Sequence, residues 1–128
     1  MTNSFGDIQN AKSIFIIGCN PAVNHPVGFG HILKAKDVAN YFRESIKDLP
    51  LALYSSYMPN AMTTVTSTDG KLATQIVKDL DEKFNIIVAP NGGELKDKIF
   101  RVAHMGDMTK EYTDFLIDAL FEYYGRKR

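Results

Sequence analysis

"KIFRVAHMGDMTKEY", Lys98 to Tyr112, places an arginine inside an apolar strand, then a His-Met-Gly turn, then a helix start. Side chains of a strand alternate between its two faces. Phe100, Val102 and His104 therefore share one face, and Ile99, Arg101 and Ala103 share the other. The Phe100 and Val102 face is expected to pack on helices. Arg101 then projects from the opposite face beside small Ala103. There its parallel N–H donors match the two oxygens of a carboxylate or phosphate. The same side chain could instead reach water along its own stem or pair with a nearby Asp or Glu. Spacing alone leaves both roles open. Thr109, with Glu111 in the first turn, is the predicted helix start. Tyr112, Phe115, Leu116, Ala119, Leu120 and Tyr123 form its predicted apolar stripe.

Upstream of that stretch, "NGGELKDK" is a polar turn with two adjacent glycines, and "NIIVAP" before it is a short apolar strand. Asp69 is the expected N-cap of a helix from about residue 70 to 83, with Leu72, Ile76, Val77, Leu80 and Phe84 facing inward. "LALYSSY" and "AMTTVTST" read as strands, the second rich in β-branched residues. A long amphipathic helix is predicted from about residue 30 to 48, because Ile32, Ala35, Ala39, Phe42, Ile46 and Leu49 recur at spacings of three and four. "SIFIIG", Ser13 to Gly18, reads as a buried strand, and "CNPAVNHPVGFG" after it as a loop. The order β-β-α-β-β-α after Leu49 predicts an α+β fold: a small, mainly antiparallel sheet with helices packed on one face. An N-terminal strand–loop–helix unit precedes it.

With 128 residues the chain has room for one core, and 15 basic against 15 acidic residues give it a formal net charge of zero. No global field favours nucleic acid or an anionic membrane, so neither is expected as a partner. Cys19 is alone, which excludes an intrachain disulfide and suits a reducing, cytoplasmic setting. The start carries no basic region followed by an apolar run, and no apolar run approaches the ~20 residues a bilayer requires. Cys19 has no paired base that would make it a nucleophile, and His25 and His31 lack a metal-ligand spacing. No metal site is expected. His104 has no partner carboxylate in sequence and reads as structural.

From about residue 37 to 125 the chain resembles the small C-terminal domain of class V (fold-type I) pyridoxal-phosphate aminotransferases of the alanine–glyoxylate and serine–pyruvate type, whose relatives include chains labelled soluble hydrogenase subunits. The residues that carry the resemblance are "TTVTST" and "FNIIVAPNGGELKDKIFRVAHMGDMTKEYTDFLIDAL". Pro90-Asn91 and Ala103 stand where that family more often has glycine. The resemblance implies that Arg101 clamps the substrate carboxylate. It also implies a catalytic lysine, a phosphate cup and a pyridinium-pairing aspartate in a large domain, none of which is found in a matching motif here. This chain alone is therefore expected to bind no pyridoxal phosphate and to catalyse no transamination.

Residues 7–36 resemble something else, the molybdopterin oxidoreductases and in particular formate dehydrogenase large subunits. The matching residues are Gly18, Asn20, Pro21, His25 and Pro26, in the turn between strand and helix. The resemblance implies cofactor-binding roles for Gly18, Asn20, Pro21 and His25 toward molybdopterin guanine dinucleotide, since a strand-to-helix turn presents backbone N–H groups to phosphate. The chain thus divides into residues 1–36, oxidoreductase-like, and 37–128, aminotransferase-like, with the junction inside one predicted helix: an apparent chimera. Three functions follow as expectations. The first is a non-catalytic aminotransferase small domain bearing Arg101. The second is a molybdopterin oxidoreductase fragment that binds a dinucleotide, and the third a purely structural fusion. Self-association through an orphaned sheet face around Ile99 and Ala103 is expected as well.

Overall fold

The computed structural model describes residues 26–57, 59–106 and 108–128, and of residues 26–29 and 31 the backbone only. The predicted strand Ser13–Gly18 and the turn holding Gly18, Asn20, Pro21 and His25 lie outside the described residues. Helix α1 spans Pro26–Ser45, and proline suits a first helical turn because the N–H it lacks would have no partner there. The helix passes unbroken through residues 36 and 37, and Ala35, Val38, Ala39, Phe42, Ile46 and Leu49 are buried on or just beyond it. Strands β1 (Leu51–Leu53) and β2 (Met62–Ser67), helix α2 (Ala73–Phe84), strands β3 (Ala89–Pro90) and β4 (Ile99–Ala103), and helix α3 (Lys110–Tyr123) follow.

The four strands form one antiparallel sheet in the order β1-β2-β4-β3. Register joins Val65 to Phe100 and Thr63 to Val102, so these residues share a face. All four are buried there, and α1, α2 and α3 close over them with Phe42, Ile76, Ile117 and Leu120 fully buried. The predicted α+β fold with helices on one side of a mainly antiparallel sheet is the one observed. Among the described residues no helix is long and apolar enough to cross a membrane.

Local chemistry shifts several boundaries. "LALYSSY" pairs only as far as Tyr54, because Ser55 then exchanges hydrogen bonds with Tyr57: the hydroxyl donates to the Tyr57 carbonyl and accepts from its N–H. Such side-chain bonding competes with the ladder. Asp69 is not the cap of α2. Its carboxylate accepts from the Ser67 hydroxyl and the Lys71 N–H, in a turn that Gly70 makes with φ +84°. The helix starts later, where the Ala73 N–H meets the Asp97 carbonyl at 2.9 Å and the Thr74 hydroxyl meets the Asp97 carboxylate at 2.8 Å. Leu72, expected inside, is 54% exposed.

At the other end of α2, Asn85 adopts the left-handed conformation, and Ile86 N–H reaches back to the Leu80 carbonyl. That closing motif takes up the first residues of "NIIVAP" and leaves only Ala89 and Pro90 to pair. Thr109 caps α3 as expected, accepting from Tyr112 N–H. The helix is rotated from the predicted stripe, however. Thr113, Leu116, Ile117, Leu120 and Phe121 face the core, while Tyr112 and Phe115 are 59% and 67% exposed.

A candidate carboxylate site

The backbone determines which side chains of the outer sheet face are neighbours. Tyr54 N–H donates to the Thr64 carbonyl across the β1–β2 ladder. The backbone N–H and C=O of Thr64 therefore point toward β1 and away from β4. His104 N–H donates to the Ala61 carbonyl, in phase with Thr63 and Val102 as a hydrogen-bonded pair between β2 and β4. Thr64 and Arg101 are thus a non-hydrogen-bonded pair, the kind with Cα atoms only ~4.5 Å apart and side chains close together. On its other side Arg101 pairs with Ala89. One row across the sheet reads Thr64, Arg101, Ala89, and Ala103 beside it is exposed.

Arg101 is half-buried. Its Nη2 donates to the Pro90 carbonyl at 2.8 Å. Among the described residues its Nε is buried without a hydrogen-bond partner and no carboxylate pairs with it. An unpaired buried donor is costly, ~1–3 kcal/mol and more on a charged group. The guanidinium is thus held on the β3 side by Pro90, with the small side chains of Ala89 and Ala103 as its neighbours on the face. The alternation read from the sequence therefore places Arg101 correctly, away from the helices. Ile99 departs from the expected exposed patch around Ile99 and Ala103: it is 5% exposed, which leaves Ala103 as the accessible member.

On the inner face lies a second polar cluster that the sequence reading did not join. Arg43 of α1 donates from Nε to Thr63 Oγ1 at 2.9 Å and from Nη2 to the Pro59 carbonyl at 2.7 Å. Thr63 Oγ1 lies 2.7 Å from His104 Nε2. The His104 ring is buried 5.4 Å from the Phe42 ring, and its Nδ1 has no partner among the described residues. Burial, with the Arg43 charge as a lesser cause, pushes the His104 pKa down to about 4. Its imidazole is neutral near neutral pH, and it holds α1 to the sheet. The one available signal was that His104 shares the face of Phe100 and Val102; nothing in helical spacing marked Arg43, which directly follows a core phenylalanine.

Gly18, Asn20, Pro21 and His25 lie outside the described residues. No group of three or more metal-ligating side chains is assembled among the described residues. Every described lysine is exposed, whereas imine chemistry draws on a lysine desolvated or otherwise activated. The described lysines do not meet that requirement.

No family model matches the chain. Solved structures do. Alanine–glyoxylate aminotransferase from Nostoc sp. superposes with a TM-score of 0.68 at 31% identity, over 73% of this chain and 26% of that one. The described fold is shared with aminotransferases. Ureidoglycine–glyoxylate aminotransferase from Bacillus subtilis (TM-score 0.64, 22% identity, 77% of this chain and 30% of that one) and pyridoxamine–pyruvate aminotransferase from Mesorhizobium loti (0.68, 19%, 78% and 27%) repeat the fold. The chain spans between a quarter and a third of the length of these aminotransferases. A separate likeness is short. Formate dehydrogenase subunit alpha from Megalodesulfovibrio gigas is 46% identical over 37 residues, 29% of this chain and 4% of that protein. Formate dehydrogenase 2 subunit alpha from Nitratidesulfovibrio vulgaris is 49% identical over the same length.

Proposed function

We propose that residues 37–128 are the small domain of a class V aminotransferase and that Arg101 binds the carboxylate of its amino acid or 2-oxo acid substrate. The observation that carries this reading is the guanidinium itself: on the sheet face away from the helices, held at Nη2 by the Pro90 carbonyl and, among the described residues, paired with no carboxylate. A carboxylate on this face accepts two charge-assisted hydrogen bonds, and the carbon next to it is held at a fixed height above the sheet. Pyridoxal phosphate supplies electron-sink chemistry in such enzymes. The described residues contribute binding and orientation to it, and the chain by itself performs no transamination. Titration of the chain with pyruvate, followed by NMR, is expected to move the Arg101 resonances, and Arg101→Lys is expected to weaken binding at least tenfold. Equal binding by the two proteins would refute the role of Arg101. A borohydride-trapped lysine adduct with added pyridoxal phosphate, together with turnover of alanine and glyoxylate, would refute the non-catalytic reading.

The 37-residue likeness to formate dehydrogenase subunits supports a second reading, a chimera in which residues 7–36 contribute a dinucleotide-binding turn. Calorimetry with guanine nucleotides on the chain and on Asn20→Ala tests it. Heat that the substitution abolishes is expected, and absence of heat in both proteins sinks it.

A further inference from the structure

We propose that Thr64 is a positioning residue for the carboxylate site, its hydroxyl taking the Arg101 Nε–H so that the Nη groups face the ligand. This rests on the reading of Arg101 as the carboxylate arginine, and it goes beyond it by naming what holds the fork in its binding geometry.

Three observations combine. Thr64 and Arg101 are directly opposite in a non-hydrogen-bonded pair, the arrangement that brings two side chains nearest across a sheet. Among the described residues the Arg101 Nε–H is buried and has no acceptor. The remaining anchor, the Pro90 carbonyl, draws Nη2 toward the opposite edge of the sheet, since Pro90 belongs to β3 and Thr64 to β2. A ligand carboxylate that takes Nη2 competes with Pro90 for that group. Once Nη2 turns to the ligand, the guanidinium is fixed only if another acceptor holds it. Ala89, on the β3 side of the row, has no side-chain acceptor. Thr64 is half-buried and carries a hydroxyl with two lone pairs, an acceptor on the β2 side of the row. The hydroxyl accepts from Nε–H, and its own proton remains available to a ligand oxygen. Threonine at this position meets a need that valine, the commoner β-former of the same shape, would leave unmet.

The test uses the full chain, with pyruvate as probe, and two substitutions. Thr64→Val keeps the shape and deletes the hydroxyl; Thr64→Ser restores the hydroxyl. Deleting one such hydrogen bond to a charged group corresponds to roughly a tenfold loss of affinity. Thr64→Val is therefore expected to bind pyruvate about tenfold more weakly and Thr64→Ser within about twofold of the parent. Solvent exchange of the Arg101 Nε–H, read by NMR, is expected to slow on adding pyruvate to the parent and to Thr64→Ser but not to Thr64→Val. A purely structural role for the hydroxyl would not move that signal. If Arg101→Lys abolishes binding while Thr64→Val binds as the parent does, the inference about Thr64 is wrong and the reading of Arg101 stands. If the parent itself binds no pyruvate, both are wrong.

Discussion

Two arginines approach this sheet from opposite faces, and their surroundings differ in one respect that separates structure from function. Arg43 comes from the helical side and finds acceptors at both Nε and Nη2, the Thr63 hydroxyl and the Pro59 carbonyl. Arg101 lies on the other side with a single acceptor among the described residues, and its Nε is buried without one there. The two are nearly neighbours in the sheet, since Arg43 bonds Thr63 and Arg101 pairs with Thr64. A saturated guanidinium is a strut. An unsatisfied one is a donor waiting for an acceptor, and the difference is not one of charge or depth but of how many N–H groups already have partners.

The largest test of that contrast concerns the two faces themselves. Phe100 is fully buried on the helical side, and Ala103 is exposed on the other side of the same strand. Phe100→Ala is expected to cost about 3–5 kcal/mol through lost burial and an unfilled cavity. Ala103→Ser is expected to stay within about 0.5 kcal/mol. Urea unfolding of the two variants checks both. Similar costs would mean that the outer face is packed as tightly as the core.

Next in size is the acid response of the inner cluster. The folded-state pKa of His104, about 4, lies below its ordinary 6.5, so the unfolded chain binds more protons across that window. Stability therefore rises with pH between about 4 and 6.5 and falls on acidification through it, by up to about 3 kcal/mol. Carboxylates whose pKa values are lowered, such as Asp69 by the Ser67 hydroxyl and Asp114 by the Tyr41 hydroxyl, act further down, below their ordinary 3.8. Urea midpoints at pH 7.5, 6, 5 and 4 are expected to decline steadily, and His104→Gln is expected to flatten the slope above pH 4. A variant with the parent's slope would place the titration elsewhere. Arg43→Ala is expected to cost less, about 2 kcal/mol for its charge-assisted bonds. It should also raise the His104 pKa, because the nearby positive charge helps to hold that value down. NMR titration of the ring reads this directly, and an unmoved His104 would uncouple the two residues.

Much of this contrast was legible in the sequence because strand alternation is strict. Phe100, Val102 and His104 had to share a face once residues 99–103 formed a strand, and Arg101 had to take the other. Helix α1 was legible from about Ile32 onward, where its apolar spacing continues into Leu49, but it begins at Pro26, inside the stretch that reads as a loop. Failures cluster where a side chain bonds its own backbone neighbourhood. Asp69 looks like a cap, but Ser67 and Lys71 claim it first. In α3, Tyr112 and Phe115 fit an apolar stripe, yet Thr113 and Ile117 took the inward side because the helix is rotated about its axis against the sheet. Neither the Arg43–Thr63–His104 cluster nor the opposition of Thr64 to Arg101 could be read before strand register was known. Register is a relation between segments, and no single segment encodes it.

The smallest expected effect is the most telling. Arg101→Ala removes one charge-assisted bond to the Pro90 carbonyl, and it also removes a buried N–H that had no partner among the described residues. Loss and relief nearly cancel, so stability is expected to change by no more than about 0.5 kcal/mol in either direction. Arg43→Ala has no such relief, because every N–H it takes away had an acceptor or access to water. If Arg101→Ala destabilises the chain as much as Arg43→Ala does, then the guanidinium is satisfied in the folded protein and is a strut like its counterpart. If it leaves the urea midpoint in place while abolishing pyruvate binding, the residue contributes to the ligand what it does not contribute to the fold. A charge held in a strand at no benefit to stability is then explained by the anion it holds.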